Sequence, residues 1–112
     1  MEELLDVLKA LTDETRLRIL NLLYEKELCV CDIMSTLQIS QAKASRHLIY
    51  LKNSGLVKGR KSAQWSHYSL CKTEQWKFID SLVCDNLRKL ESYKNDLDNL
   101  NRCLEQKVNY CD

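Results

Sequence analysis

A chain of 112 residues is long enough for one domain and leaves little for a second. With 45% hydrophobic and 29% charged residues it has a globular composition, and no apolar run approaches the roughly 20 residues a bilayer span requires. Its net charge of +1 hides a strong asymmetry: residues 1–32 carry −4, residues 33–72 carry +7 without a single carboxylate, and residues 73–112 carry −2. A forty-residue block with no acid is a local electrostatic footprint for phosphate.

The elements follow in order. Leu4, Leu5, Leu8 and Leu11 predict a first amphipathic helix. Thr12 or Asp13 can cap a second, with Leu17, Leu20 and Leu23 on its inner face. A short third helix runs from about Cys31 to Leu37 and buries Ile33 and Leu37. Ser40 is a good N-cap for a fourth, whose inward stripe is Ala44, Leu48 and Leu51 and which Gly55 ends. Two β-like runs, Leu56 to Arg60 and Gln64 to Leu70, flank the polar Lys61-Ser62-Ala63 as a hairpin. From Thr73 onward, Trp76, Val83, Leu90, Leu97 and Leu104 recur every seven residues, with Ile79, Tyr93 and Leu100 in a second seam. Such a stripe predicts one long helix that pairs with a second chain, with a tail that bends or frays near Asn95, Asp98, Asn99 and Asn101. The expected fold is mainly α, a winged helix-turn-helix in the order α-α-α-α-β-β-α. It forms a single domain over residues 1–112, with about 73–112 as a dimerisation helix.

The start, Met1-Glu2-Glu3-Leu4, is acidic and lacks a signal-peptide layout, so a cytoplasmic location with no membrane partner is expected. The six cysteines (29, 31, 71, 84, 103 and 111) would then be reduced, and closely spaced ones read as metal ligands or redox centres. Cys29 and Cys31 stand immediately before the third helix. Residues i and i+2 of a helix point about 200° apart, so both can hold one ion only if the helix begins after Cys29 or its first turn unwinds. An ion that gains from the bent geometry shifts the population away from the helical one. Thiolates without histidine favour soft ions: As(III) or Sb(III), which take three sulfurs in a pyramid, or Cd(II) and Pb(II).

Several motifs together resemble the ArsR/SmtB family of dimeric repressors. They are Thr12 through Leu20, Glu27-Leu28-Cys29-Val30-Cys31-Asp32, Ser40-Gln41 through His47-Leu48, Ser54-Gly55-Leu56-Val57 and Trp65 through Leu70. The resemblance covers about residues 4–72. It implies a DNA-binding repressor of a metal(loid)-resistance operon that leaves its operator when trivalent arsenic or antimony binds cysteine thiolates. The same cysteine stretch is shared by cadmium/lead sensors of the family. Many arsenic sensors of this pattern carry a third cysteine three residues after the second, where this chain has Met34. The third ligand is then Cys103 or Cys111, from the same or the partner chain, or one arsenite oxygen, or the carbon of a methylated arsenite. The family's zinc site on the last helix needs histidine, and none follows His67.

In a helix-turn-helix, the N-terminal side chains of the second helix read base edges in the major groove. Here these are Ser40, Gln41, Lys43, Ser45, Arg46 and His47, with Arg60, Lys61 and Gln64 of the wing meeting backbone or minor groove. His47 has a second reading as a histidine packed within the domain. A homodimer through the first and last helices would bind an imperfect palindrome of double-stranded operator DNA, with half-sites roughly 10–10.5 base pairs apart or a multiple of that. Cys84 reads as buried packing. Two competing readings remain: sensing of oxidants or persulfides by disulfide formation at Cys29/Cys31 or Cys103/Cys111, and a plain dimerisation module. No nucleophile–base pair points to an enzyme.

Overall fold

The computed structural model describes residues 2–62, 65–72 and 76–110. Helices α1 (Glu2–Ala10), α2 (Glu14–Glu25), α3 (Val30–Leu37) and α4 (Gln41–Asn53) precede strands β2 (Val57–Ser62) and β3 (Trp65–Leu70). A two-residue strand, β1 (Leu28–Cys29), lies between α2 and α3 and pairs antiparallel with β3, so the sheet has three strands in the order β1-β3-β2. The first six elements keep the order expected from sequence, with β1 inserted, and the expected final helix is divided. Two residues are too few to show a period-2 pattern.

Local chemistry accounts for the boundaries. The Asp13 carboxylate accepts from the Arg16 amide at 3.1 Å and caps α2. Ser40 Oγ accepts from the Lys43 amide at 3.1 Å and caps α4. Gly55 ends α4 with φ +85°, a left-handed conformation that side chains disfavour. In the wing, Gly59 faces Tyr68 across the ladder, and a Cβ there would meet the tyrosine ring at 3.0 Å. Glycine thus lets that ring lie flat on the hairpin.

The core is built from Ile19, Leu20 and Leu22 of α2, Ile33 of α3, Leu48 and Leu51 of α4, Val83 and Leu100. Truncating a fully buried leucine such as Leu48 costs about 2–5 kcal/mol. The inner face of α4 is therefore constrained by packing, and its outer face is left for binding.

The segment after the wing departs from the expected single helix. Helix α5 (Trp76–Ser81) widens into a π turn at Leu82–Asn86, tightens to a 3-10 turn at Leu87–Lys89 and breaks at Leu90, whose backbone is extended. Helix α6 (Glu91–Tyr110) then folds back along α3 and α2. Side-chain bonds pin the break to α2. Arg88 Nε donates to Asn21 Oδ1 at 2.5 Å, and Asn21 Nδ2 donates to the Tyr93 carbonyl at 3.2 Å. Arg18 makes a two-pronged ion pair with the buried Asp96 carboxylate, both contacts at 2.8 Å. Ile79, Val83, Tyr93 and Leu100 consequently pack inside the protomer, and Leu90 of the expected stripe is exposed. Most of the seven-residue pattern is thus spent on the chain's own core rather than on a partner. The first helix does the reverse: Val7 and Ala10 face inward, while Leu4, Leu5 and Leu8 lie exposed. Phe78 of α5 is exposed as well.

Candidate nucleic-acid interface and thiol site

The outer face of α4 presents Gln41, Lys43 and Arg46 to solvent, with Ser45 half-buried beside them and Ser40 at the cap. These candidate readers are brought onto one short surface. The exposed face continues through Ile49 and Tyr50, which the sequence reading did not single out.

His47 does not belong to that surface. It shares the i, i+3, i+4, i+7 spacing of Ala44, Leu48 and Leu51, and only 6% of it is exposed. Its Nδ1 lies 3.4 Å from Arg16 Nη1 and 3.9 Å from Asp13 Oδ1. Burial pushes its pKa down, against the pull of the Asp13 carboxylate. The packed-histidine reading is the one the geometry supports. Arg16 was not anticipated either. It donates to the Ala10 carbonyl at 2.8 Å and stacks 4.1 Å from the centre of the Tyr50 ring, tying α1, α2 and α4 together.

At the thiol pair, the helix begins after Cys29. Cys29 is the N-cap of α3, extended at φ −84° and ψ 164°, and only 2% exposed. It closes a reciprocal capping box: its Sγ faces the Asp32 amide, and the buried Asp32 carboxylate accepts from the Cys29 amide at 3.1 Å. Sulfur here holds the place of an N-cap oxygen. Cys31 sits one residue into the helix and is half-buried. In β1, Leu28 pairs with Tyr68 and Cys29 with His67. The same backbone therefore starts the helix that supports α4 and joins the wing's sheet.

The expected third sulfur is not assembled within the described protomer. Cys103 lines a crevice of about 320 Å³ with Ser35, Thr36 and Gln38, at the far end of α3. Gln38, the C-cap of α3, lies seven positions after Cys31, a rise of about 10 Å. Among the described residues no three His, Cys, Asp or Glu side chains gather as a metal cage. Cys111 lies outside the described residues. Cys84, expected as buried packing, is exposed, and its thiol donates to the Tyr24 hydroxyl at 3.2 Å. Cys71 is half-buried, and its amide donates to the Leu56 carbonyl at 2.9 Å.

On the wing, Lys61 is exposed, and Gln64 lies outside the described residues. Arg60 is already occupied. Its Nε donates to both Glu27 oxygens at 3.2 and 3.0 Å, and its Nη2 donates to Oε1 at 2.5 Å. Arg60, expected to meet DNA, is held here by Glu27.

An exposed basic helix on a fixed inner stripe, with a hairpin wing beside it, defines a winged helix-turn-helix regulatory protein. The model of the arsR family of bacterial regulatory proteins matches residues 13–58. The chain is 52% identical over 67 residues to the "Arsenical resistance operon repressor" of Escherichia coli (strain K12), covering 59% of this chain and 57% of that protein. It is 49% identical over 65 residues to the "Cadmium resistance transcriptional regulatory protein CadC homolog" of Staphylococcus aureus, covering 57% of this chain and 54% of that protein. Among solved structures it resembles HlyU from Vibrio cholerae N16961, with TM-score 0.68 and 37% identity, over 81% of this chain and 94% of that one. The chain belongs to the ArsR family. It spans little more than half the length of the two curated relatives it matches here. Among the described residues no helix is long and apolar enough to cross a membrane.

Proposed function

We propose that this chain is a homodimeric repressor of a metal(loid)-resistance operon, displaced from its operator when a soft ion is bound through Cys29 and Cys31. Arsenite or antimonite is the inducer we favour. The observation that carries the reading is the position of Cys29. Its sulfur caps α3, its backbone pairs with the wing, and it is almost wholly buried. With α3 beginning after Cys29 both sulfurs can turn to one ion, and drawing the buried capping sulfur to it removes the cap and loosens the first turn of α3, which supports the reading helix. Going from almost all bound to almost all free needs roughly 5.5 kcal/mol of differential affinity, within reach of two or three thiolate bonds.

Gln41, Lys43, Ser45 and Arg46 read the major groove, Ser40 orients a phosphate at the helix N-terminus, and Lys61 contacts backbone. The exposed Leu4, Leu5 and Leu8 of α1, with Phe78, support the dimer face, and two-fold symmetry calls for an imperfect palindrome. With Cys103 at the opposite end of α3, the third ligand of arsenic comes from Cys111, from the partner's tail, from one retained oxygen, or from the carbon of a methylated arsenite.

The test is release of the protein from its own upstream DNA by arsenite, antimonite, cadmium and lead, with sulfur neighbours counted by X-ray absorption. Cys29→Ser and Cys31→Ser are expected to bind DNA and ignore arsenite. Normal release by both variants would refute the assigned site. Restoration of DNA binding by a dithiol after peroxide, with no metal present, would instead favour thiol oxidation.

A further inference from the structure

Glu27 is out of place in a DNA-facing surface. Residues 33–72 contain no carboxylate, yet Glu27, only two positions before Cys29, reaches into that block from the preceding segment. It lies against Arg60 and close to His67 and Lys58. Three hydrogen bonds of 2.5–3.2 Å join its carboxylate to Arg60, in the forked geometry by which a guanidinium grips a phosphate. The hydrogen bond from Arg60 holds the Glu27 carboxyl below the usual carboxylate range, so it remains charged near neutral pH.

We infer that Glu27 is a positioning residue for the wing: it occupies the Arg60 guanidinium as a built-in phosphate mimic and withholds it from the DNA backbone. The inference rests on the DNA-binding reading above. Both residues are substantially exposed, so the pair contributes little to stability. Its effect is on affinity. A repressor that must be released by an ion is better served by a moderate hold on DNA, because each added phosphate contact raises the differential affinity the ion has to supply. Removing the mimic restores one backbone contact per wing without adding any sequence reading.

The experiment measures binding of the full chain to non-specific duplex DNA between 50 and 200 mM salt. Each phosphate newly contacted steepens the slope of log K against log salt by about 0.9. Glu27→Gln is expected to steepen the slope by about that amount per wing and to bind more tightly, most visibly at low salt. Arg60→Gln alone is expected to leave the slope nearly unchanged. The double variant Glu27→Gln/Arg60→Gln is expected to return to the wild-type slope. An unchanged slope in Glu27→Gln overturns the inference. So does a steepened slope that survives in the double variant, which would reflect the lost charge acting at long range. If Arg60→Gln alone flattens the slope by a full contact, Arg60 already holds phosphate and the inference is wrong. Absence of duplex binding by the wild-type protein at every salt concentration is a separate outcome: it sinks the DNA-binding reading itself.

Discussion

Replacing Asp32 by alanine isolates the coupling between the thiol pair and the reading helix, because Asp32 is not itself a proposed ligand. Its buried carboxylate accepts from the Cys29 amide and forms half of the box that starts α3. Losing a cap interaction costs about 1 kcal/mol, within a range of roughly 0.5–2. If that cost falls on the DNA-ready form and not on the opened one, the equilibrium between them moves about fivefold, since 1.4 kcal/mol corresponds to about tenfold. The ratio of ion affinity to operator affinity should then rise about fivefold, because the two ligands draw on opposite sides of one equilibrium. Where the DNA-ready form predominates in the free protein, most of that change is tighter ion binding. Fluorescence anisotropy of labelled operator and competition for arsenite with a dithiol dye measure the two sides. The thermal midpoint should drop by about 4 °C for a chain of this length. Weakening of both affinities together, or an unchanged ratio of the two beside the lowered midpoint, would refute the idea that the first turn of α3 is the shared element.

Two further outcomes are expected. Arg46→Ala should weaken operator binding about tenfold, in line with loss of one bidentate base contact, and leave arsenite affinity of the free protein unchanged; an equal loss on scrambled duplex would assign Arg46 to the backbone. Because burial lowers the pKa of His47 below its ordinary 6.5, the unfolded chain takes up its proton first as the solution is acidified. Folding stability should therefore decline as pH falls below about 6.5, and His47→Gln should flatten that decline in denaturant titrations from pH 7.5 to 5. A pH profile identical to wild type would mean that the pocket between α2 and α4 does not disfavour the charged ring.

The parts of the fold that were legible in the sequence are those whose signals are local. Ser40, Asp13 and Gly55 mark helix ends through chemistry confined to a few residues, and all three act where the sequence places them. Ala44, Leu48 and Leu51 mark the inner stripe of α4 for the same reason. The seven-residue pattern after Trp76 could not reveal its own partner. Apolar spacing shows that a face is buried, and a break at Leu90 without glycine or proline has no local marker. That break is held by Arg88 and Asn21, 67 positions apart. His47 sits within a motif associated with DNA reading, but its helical phase, shared with Ala44 and Leu51, already pointed inward. Of the thiol site, the sequence shows the cysteine pair and the start of a helix near it. The capping box and the pairing of Cys29 with His67 depend on backbone geometry that only the assembled sheet supplies.

The folding back of α6 has a consequence for how members with different tails would behave. Since α6 lies along α3, the chain's own last helix roofs the element proposed to open for the ion. Loosening that roof with Cys103 and Cys111 kept would lower the barrier to opening without touching the sulfurs or the two-fold contact. Variation at the C-terminal end should thus tune the threshold concentration of inducer, and leave assembly and operator choice as they were.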